Sequence, residues 1–418
     1  MLIISREKNI MVNQINAGDT AWILVCCSLV LLMTPALALF YGGMVRRKNV
    51  LSTLTLSYVF MALIGVQWLL YGYSLAFGAD ITGFIGGLNF VGFKGVDAIP
   101  NGDYSKTIPH GLFAAFQMMF AIITPALITG AFVERVKFKS FLLFSLLWAT
   151  LVYDPLCHWV WGHGGWLRQM GVLDFAGGTV VHIAAGFSAL AFALVIGPRK
   201  GYGKSPMEPH NIPLTIMGAG LLWVGWFGFN AGSALAANGV AVNALLTTNT
   251  SAATAGLVWM LLSWLDGRPS PLGIATGMVV GLAAVTPASG FVSPMAAMMI
   301  GAVAAPLSYC AMRFRDRRKL DESLDVWACH GIASTWGMIA TGLFATVTVN
   351  SDGANGLFFG NPDQIGIQLF AVGVTIVFCF GLTYILAKLL NWSIGLRVTS
   401  VEEEVGLDIS SHGERSYS

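Results

Sequence analysis

Residues 173–190 read LDFAGGTVVHIAAGFSAL. The stretch is apolar and of helical length, with one acid, Asp174, at its start and one histidine, His182, at its middle. Small residues dominate it: Ala176, Gly177, Gly178, Ala184, Ala185, Gly186 and Ser188. Glycine costs a helix stability in water, whereas in a bilayer small residues let backbones pack closely. An ionisable side chain inside such a segment is expensive and faces the protein interior or a pathway. A second stretch, residues 325–343 (DVWACHGIASTWGMIATGL), repeats the pattern around His330. The chain reads as a scaffold that brings these two histidines together.

Composition agrees with a bilayer setting. Of 418 residues 56% are hydrophobic and 11% charged, and the mean hydropathy is +0.70; a soluble domain carries about 25% charged residues. Cys26, Cys27, Cys157, Cys310, Cys329 and Cys379 lie in or near apolar runs without the spacing of a disulfide framework or a zinc site, and read as packing residues. The opening residues are polar and carry Arg6, Glu7 and Lys8, with Met11 as an alternative start. The apolar run at 21–45 is too long for a signal-peptide core and ends at arginines, so it reads as a retained span.

Eleven spans of roughly 20 apolar residues are predicted, at 19–44, 50–77, 108–133, 138–158, 177–197, 210–231, 243–265, 270–287, 294–313, 326–348 and 364–392. The eighth is short and glycine-rich. One alternating set of loops holds Arg46, Arg47 and Lys48, then Arg135, Lys137 and Lys139, then Arg199, Lys200 and Lys204, then Arg268, then Arg313, Arg315, Arg317, Arg318 and Lys319. The other set holds Lys94, Lys106 and Arg168. The positive-inside rule therefore puts the amino terminus outside and the carboxyl tail inside. The predicted organisation is an extracellular segment 1–18, a membrane domain 19–392 and a cytosolic tail 393–418. The tail is read either as a disordered end or as a docking element. The outer loop 78–106 carries Asp80, Asp97 and Asp103, read as ordinary wet-loop acids or as a lure for cations.

The chain also shows a weak internal symmetry about residue 204, with repeats at about 19–204 and 205–348 followed by the last helix 364–392. FYGG ends the first span and WFGFNAG the sixth; His182 lies in the fifth span and His330 in the tenth. Repeats of five spans have inverted topology, and transporters built this way place the substrate path at the repeat interface near the midplane. The expected fold class is an all-α polytopic membrane protein of eleven helices in two inverted five-helix repeats.

Several motifs carry a specific resemblance: DFAGGTVVHIAAG (174–186), GWFGFNAGSA (225–234), ALFYGG of the first span, AFQMMFA (115–121), WVWG–GG (159–165), LDVWACHG (324–331) and GLDISSHGERSY (406–417). In these the chain resembles the ammonium transporter (Amt/Mep/Rh) family, on its prokaryotic Amt side. The resemblance implies a homotrimer with one pore per subunit, in a cell membrane, with no cofactor, no metal, no nucleic acid and no enzymatic role. It implies an outer recruitment site at Trp161, Phe116 and Ser233, where a cation over aromatic faces gains about 0.5–2 kcal/mol. Phe120 and Phe229 then form the hydrophobic gate, and His182 and His330 the twin-histidine pair that can share or relay a proton. Asp174 is read as a cap on free N–H groups with an electrostatic side effect. Ala328 and Cys329 beside His330 depart from the pattern. The implied substrate is ammonium or ammonia, with methylammonium a further candidate. The implied cytosolic partner is a PII-type signal protein meeting the cationic loops and the tail.

Two other classes were weighed. A membrane metal or haem protein would use His110, His158, His163, His182 and His330, but no i, i+4 histidine pair with a carboxylate appears, and His158 and His163 are placed at a wet mouth. An ammonium sensor would need a separate signalling partner.

Overall fold

The computed structural model describes residues 15–417; Arg6, Glu7, Lys8, Met11 and most of the expected segment 1–18 lie outside the described residues. Nine described helices are long and apolar enough to cross a membrane: Ala17–Met44, Arg47–Phe77, His110–Ala131, Phe138–Gln169, Gly178–Ile196, Ile212–Gly232, Gly239–Leu265, Pro294–Arg317 and Asp363–Ser393. A shorter apolar helix, Pro271–Val285, fills the eighth predicted position; at 15 residues it reaches roughly 22 Å, short of a ~30 Å hydrocarbon core. The tenth position is filled by a π-helical turn, Trp327–Ile332, continued by Ala333–Phe344. The predicted segments are thus all helical. The one strand pair described is the two-residue hairpin arm Asp80–Ile81 against Ile85–Gly86 in the outer loop.

Some helix ends differ from expectation. The seventh helix starts at Gly239 rather than 243, because the Asn238 side chain accepts the N–H of Ala241 and caps it there. The fourth continues beyond 158 because a π-turn at Ala149–Tyr153 carries it through to Asp154–Trp161.

Glycines decide how the spans meet. Along the sixth span, a Cβ on Gly218 would strike the Phe40 backbone, one on Gly225 would strike Met33, one on Gly228 Leu29 and one on Gly232 Cys26. Numbers rise on the sixth span as they fall on the first, so the two run antiparallel in close contact. That is what inverted repeats require of equivalent helices. The fifth and tenth spans also approach closely, and a Cβ on Gly186 would lie 2.3 Å from the Gly331 nitrogen.

The cationic loops converge at one end of the bundle. Glu134 accepts from Arg46 Nε at 3.0 Å, Arg199 Nη1 at 2.8 Å and Asn49 Nδ2 at 2.9 Å, and Asp321 pairs with Arg199 at 2.8 Å. Burial alone would raise the Glu134 carboxyl; Arg199 and Arg46 outweigh burial and hold it below its ordinary range. The tail packs on this network as two short helices, Ser400–Val405 and Leu407–His412. Leu407 N–H donates to Asn49 Oδ1 at 2.8 Å, and Asp408 Oδ1 accepts from Ser52 N–H at 2.8 Å. The tail is thus ordered against the cationic loops.

Overpacking a helix crossing costs about 1–3 kcal/mol. Gly186→Val is expected to lower the melting temperature in detergent and the yield of monodisperse protein on size exclusion. Gly220→Val, where no atom lies within 4 Å of the added Cβ, is expected to change neither.

Candidate functional site

At the outer end a cavity of about 180 Å³ opens among Phe77, Tyr104, Phe113, Gln117, Phe120, Val160, Trp161, Arg168, Phe175, Ser233 and Leu235. Trp161 and Ser233 face it as expected. Phe116 is buried behind Phe120 and does not itself line the cavity. Phe113, Gln117 and Phe120 share one face of the third span at i, i+4 and i+7. Phe116 lies on the same face at i+3, fully buried, with its ring 5.0 Å from Phe120 and turned toward Gly232. The aromatic partner of Trp161 at the floor is Phe120, edge-on at 5.8 Å. The Ser233 hydroxyl donates to the Phe229 carbonyl at 2.9 Å, so its oxygen keeps lone pairs for a donor in the cavity. Arg168 at the rim donates to the Trp161 carbonyl at 2.8 Å. A cation therefore has aromatic faces and a hydroxyl to meet here, not a net negative wall.

Beneath the vestibule Phe120 and Phe229 close the path, with ring centres 4.3 Å apart. Under them lies a narrow cavity of about 10 Å³, lined by Val181, His182, Trp226, Phe229 and His330 together with Met33, Leu37, Phe40, Ile123, Leu127, Leu222 and Val279. That is about the least space a water molecule needs.

His182 and His330 meet in this cavity. Their Nδ1 atoms are 3.2 Å apart; the ring centres are 5.2 Å apart and the planes 20° apart. The two nitrogens thus lie between the rings, edge to edge. A hydrogen bond between them needs one Nδ1–H donor and one bare Nδ1 acceptor. Neutral imidazole carries one N–H, so one ring then shows a bare Nε2 and the other an Nε2–H. The His182 Nε2 is buried and has no protein hydrogen-bond partner among the described residues. The pair therefore offers one donor and one acceptor, which matches a neutral amine with N–H groups and one lone pair. Trp226 and Phe229 stack beside His182 at 5.3 and 5.8 Å.

Each histidine rides on the π-helical first turn of its span, Gly178–Ile183 and Trp327–Ile332, and each turn is held by a buried acid. Asp174 Oδ1 accepts from Gly177 and Gly178 N–H at 2.8 and 2.6 Å, and its Oδ2 accepts from Thr179 N–H at 2.8 Å and from the Thr179 hydroxyl. All its acceptor positions are in use, so the carboxylate has none left for a cation. Its backbone carbonyl accepts from Trp161 Nε1 at 3.0 Å. One residue thus starts the His182 turn and fixes the indole of the vestibule.

The matching acid on the tenth span is Glu322, a residue the sequence reading passed over. Its oxygens accept from Val326 and Trp327 N–H at 3.0 and 3.2 Å. Asp174 stands as far before His182 as Glu322 before His330, and the left-handed residues Gly177 and Asp325 also occupy equivalent places. Burial first, and Asp325 second, push the Glu322 carboxyl up to about 7 against the pull of Arg315.

His158 corrects a second expectation. It is not at a wet mouth but fully buried, with Nδ1 2.9 Å from the Ala76 carbonyl and Nε2 2.8 Å from Asp80; His163 is exposed. Asp80 thereby ties the outer loop to the fourth span. Among the described residues no three His, Cys, Asp or Glu side chains converge on a metal-sized site.

The model of the Ammonium Transporter Family matches residues 21–417. The chain belongs to the ammonium transporter family. It is 52% identical to ammonium transporter Amt1 of Archaeoglobus fulgidus, over 96% of this chain and 99% of that one, and 50% identical to the ammonium transporter of Bacillus subtilis, over 96% and 98%. Its fold is similar to a crystal structure of Mep2 from Candida albicans, with a TM-score of 0.88 and 35% identity over 93% of this chain and 88% of that one. A protein described as a sensor Amt protein is similar at a TM-score of 0.88 and 29% identity, over 94% and 98%. This member of the ammonium transporter family is a multi-pass protein of the cell membrane, a transporter rather than an enzyme.

Asp174→Ala and Glu322→Ala are each expected to cost about 2 kcal/mol through lost caps, read as lower melting temperatures. Glu322→Gln keeps an oxygen for the cap and removes the charge. A carboxyl whose folded pKa is raised binds its proton more tightly in the fold, so its ionisation penalises the fold as pH rises through that value. Glu322→Gln should therefore match wild type near pH 5 and exceed it at pH 8.

Proposed function

We propose that ammonium docks in the outer vestibule against Trp161, Phe120 and Ser233, with Phe116 packed behind Phe120, gives up its proton to vestibule water, and passes as ammonia between Phe120 and Phe229 to His182 and His330. The observation that carries this reading is the Nδ1–Nδ1 contact of 3.2 Å in a cavity otherwise walled by apolar and aromatic side chains. Moving a bare cation into such a cavity has a Born cost of order 20 kcal/mol before compensation. Two imidazoles do not replace a hydration shell, but they present the donor and acceptor that a neutral amine needs. Potassium is of similar size and has no proton to lose, so it is rejected.

The pair that shares a proton also relays it. Net uptake is then electrogenic, driven by about 2.3 kcal/mol per charge per 100 mV. Methylammonium follows the same route as far as the gate admits its methyl group. In this reading three copies assemble in the lipid, each with its own pore. A PII-type signal protein closes the cytosolic side, docking on the cationic loops and the tail that packs against Asn49 and Ser52.

Currents from proteoliposomes on solid-supported membranes test the core of this. Ammonium pulses are expected to give a current and potassium pulses none, and His182→Ala/His330→Ala should abolish it. A current that survives in the double variant and admits potassium would mean the histidines filter substrate without carrying charge. Ammonia flux without any current in the wild type would sink the relay. Ammonium binding with neither flux nor current would favour a sensor. For the partner, deleting residues 406–418 should remove capture of a purified PII-type trimer while leaving the current in place.

A further inference from the structure

Asp154 lies inside the fourth span, fully buried, and takes no part in the path above. Its recorded side-chain partner among the described residues is Gln67 of the second span, whose Nε2 donates to Asp154 Oδ2 at 2.7 Å. Two buried oxygens in this pair have no partner: Asp154 Oδ1 and Gln67 Oε1. Both are acceptors if the carboxyl is ionised. A buried carboxylate with one neutral donor and an idle oxygen, held by an amide whose own oxygen is idle, is a poor arrangement in a medium without water.

One hydrogen resolves both deficits. A carboxyl that carries its proton on Oδ1 becomes a donor there, and the amide already bonded to Oδ2 carries the matching orphan acceptor, Gln67 Oε1. We propose that Asp154 is a second proton-holding site of this protein, off the pore, in which a neutral carboxylic acid and the Gln67 carboxamide are joined by two reciprocal hydrogen bonds.

The local backbone is built for this pair. Gln67 precedes a π-turn at Trp68–Gly72 and Asp154 follows one at Ala149–Tyr153. The π-turn brings Gly72 back over Gln67, where a Cβ would lie 2.5 Å from Oε1 and 2.7 Å from Nε2. Only glycine leaves room for the amide. Val66, Leu69 and Leu70 on the same turns are exposed, on the lipid side, while Gln67 and Trp68 are buried. The site ties the second span to the fourth just below the turn that leads to Trp159 and Trp161.

Infrared spectroscopy of the full-length protein in liposomes, with and without ¹³C-aspartate, tests this. The expected result is a protonated-carboxyl band that shifts with the label, persists from pH 7 to pH 9 and is absent in Asp154→Asn. Gln67→Leu should move the band to higher frequency, because the acid loses its partner. An amide presents the same donor and acceptor as a neutral acid, so Asp154→Asn should keep the wild-type melting temperature and Asp154→Leu should lower it. No such band in the wild type, or a band that Asp154→Asn leaves in place, would overturn the proposal and point to an ionised carboxylate holding a bound cation. Should Asp154→Asn fail to fold, the labelled band and its shift in Gln67→Leu decide alone.

Discussion

The constraint on which the structure rests is the close approach of the fifth and tenth spans at Gly186 and Gly331. No side chain fits between the two backbones there, and one turn away the imidazoles of His182 and His330 are held nitrogen to nitrogen. Hydrophobic burial does not discriminate between helices in a bilayer, because lipid tails are as apolar as leucine. Small residues set which faces touch, and the polar groups follow. The antiparallel seam of the first and sixth spans, with its ladder of glycines on the sixth, uses the same device.

The two inverted halves are alike in backbone and differ in what surrounds them. Each histidine is carried on a π-turn, preceded by a left-handed residue and a buried acid that caps the turn. On the outer side the acid is Asp174, with every acceptor position filled and its carbonyl spent on Trp161. On the cytosolic side it is Glu322, crowded by Asp325 and balanced by Arg315. The first acid is fixed as part of a vestibule; burial and Asp325 push the second acid's carboxyl up from its ordinary range. Symmetry thus supplies the pair of rings, and its local breaking gives the two mouths different chemistry.

Much of this was legible in the sequence. Apolar runs of the right length marked the helices, and the histidines stood out because an ionisable group in such a run needs a reason. The failures have physical causes. Phe116 and Phe120 are four residues apart on one ridge of the third span, and nothing in composition says which of the two rings reaches the cavity. His158 stands next to a glycine-rich mouth in sequence but is turned inward between Ala76 and Asp80. Glu322 sits among Asp321, Arg318 and Lys319, where an acid looks like an ordinary loop residue; its distance from His330, equal to that of Asp174 from His182, was the signal available. Asp154 was visible as an acid within an apolar run, but its partner came from another span.

The placement of charge shows how the fold reconciles a cationic substrate with an apolar path. Arg46, Arg199, Glu134 and Asp321 neutralise one another at the cytosolic end, and the tail closes over them. Along the path between the vestibule and that network, the polar groups lining the cavity are two imidazoles that complete each other. An isolated imidazolium there would carry the full cost of an unpaired buried charge. A pair that shares one proton keeps its donor and acceptor while staying neutral. The same economy appears at Asp154 and Gln67, where an acid and an amide satisfy each other within the bilayer. On the proposed reading, in which ammonia passes and ions do not, the interior has reason to keep its polar groups in neutral, mutually bonded pairs.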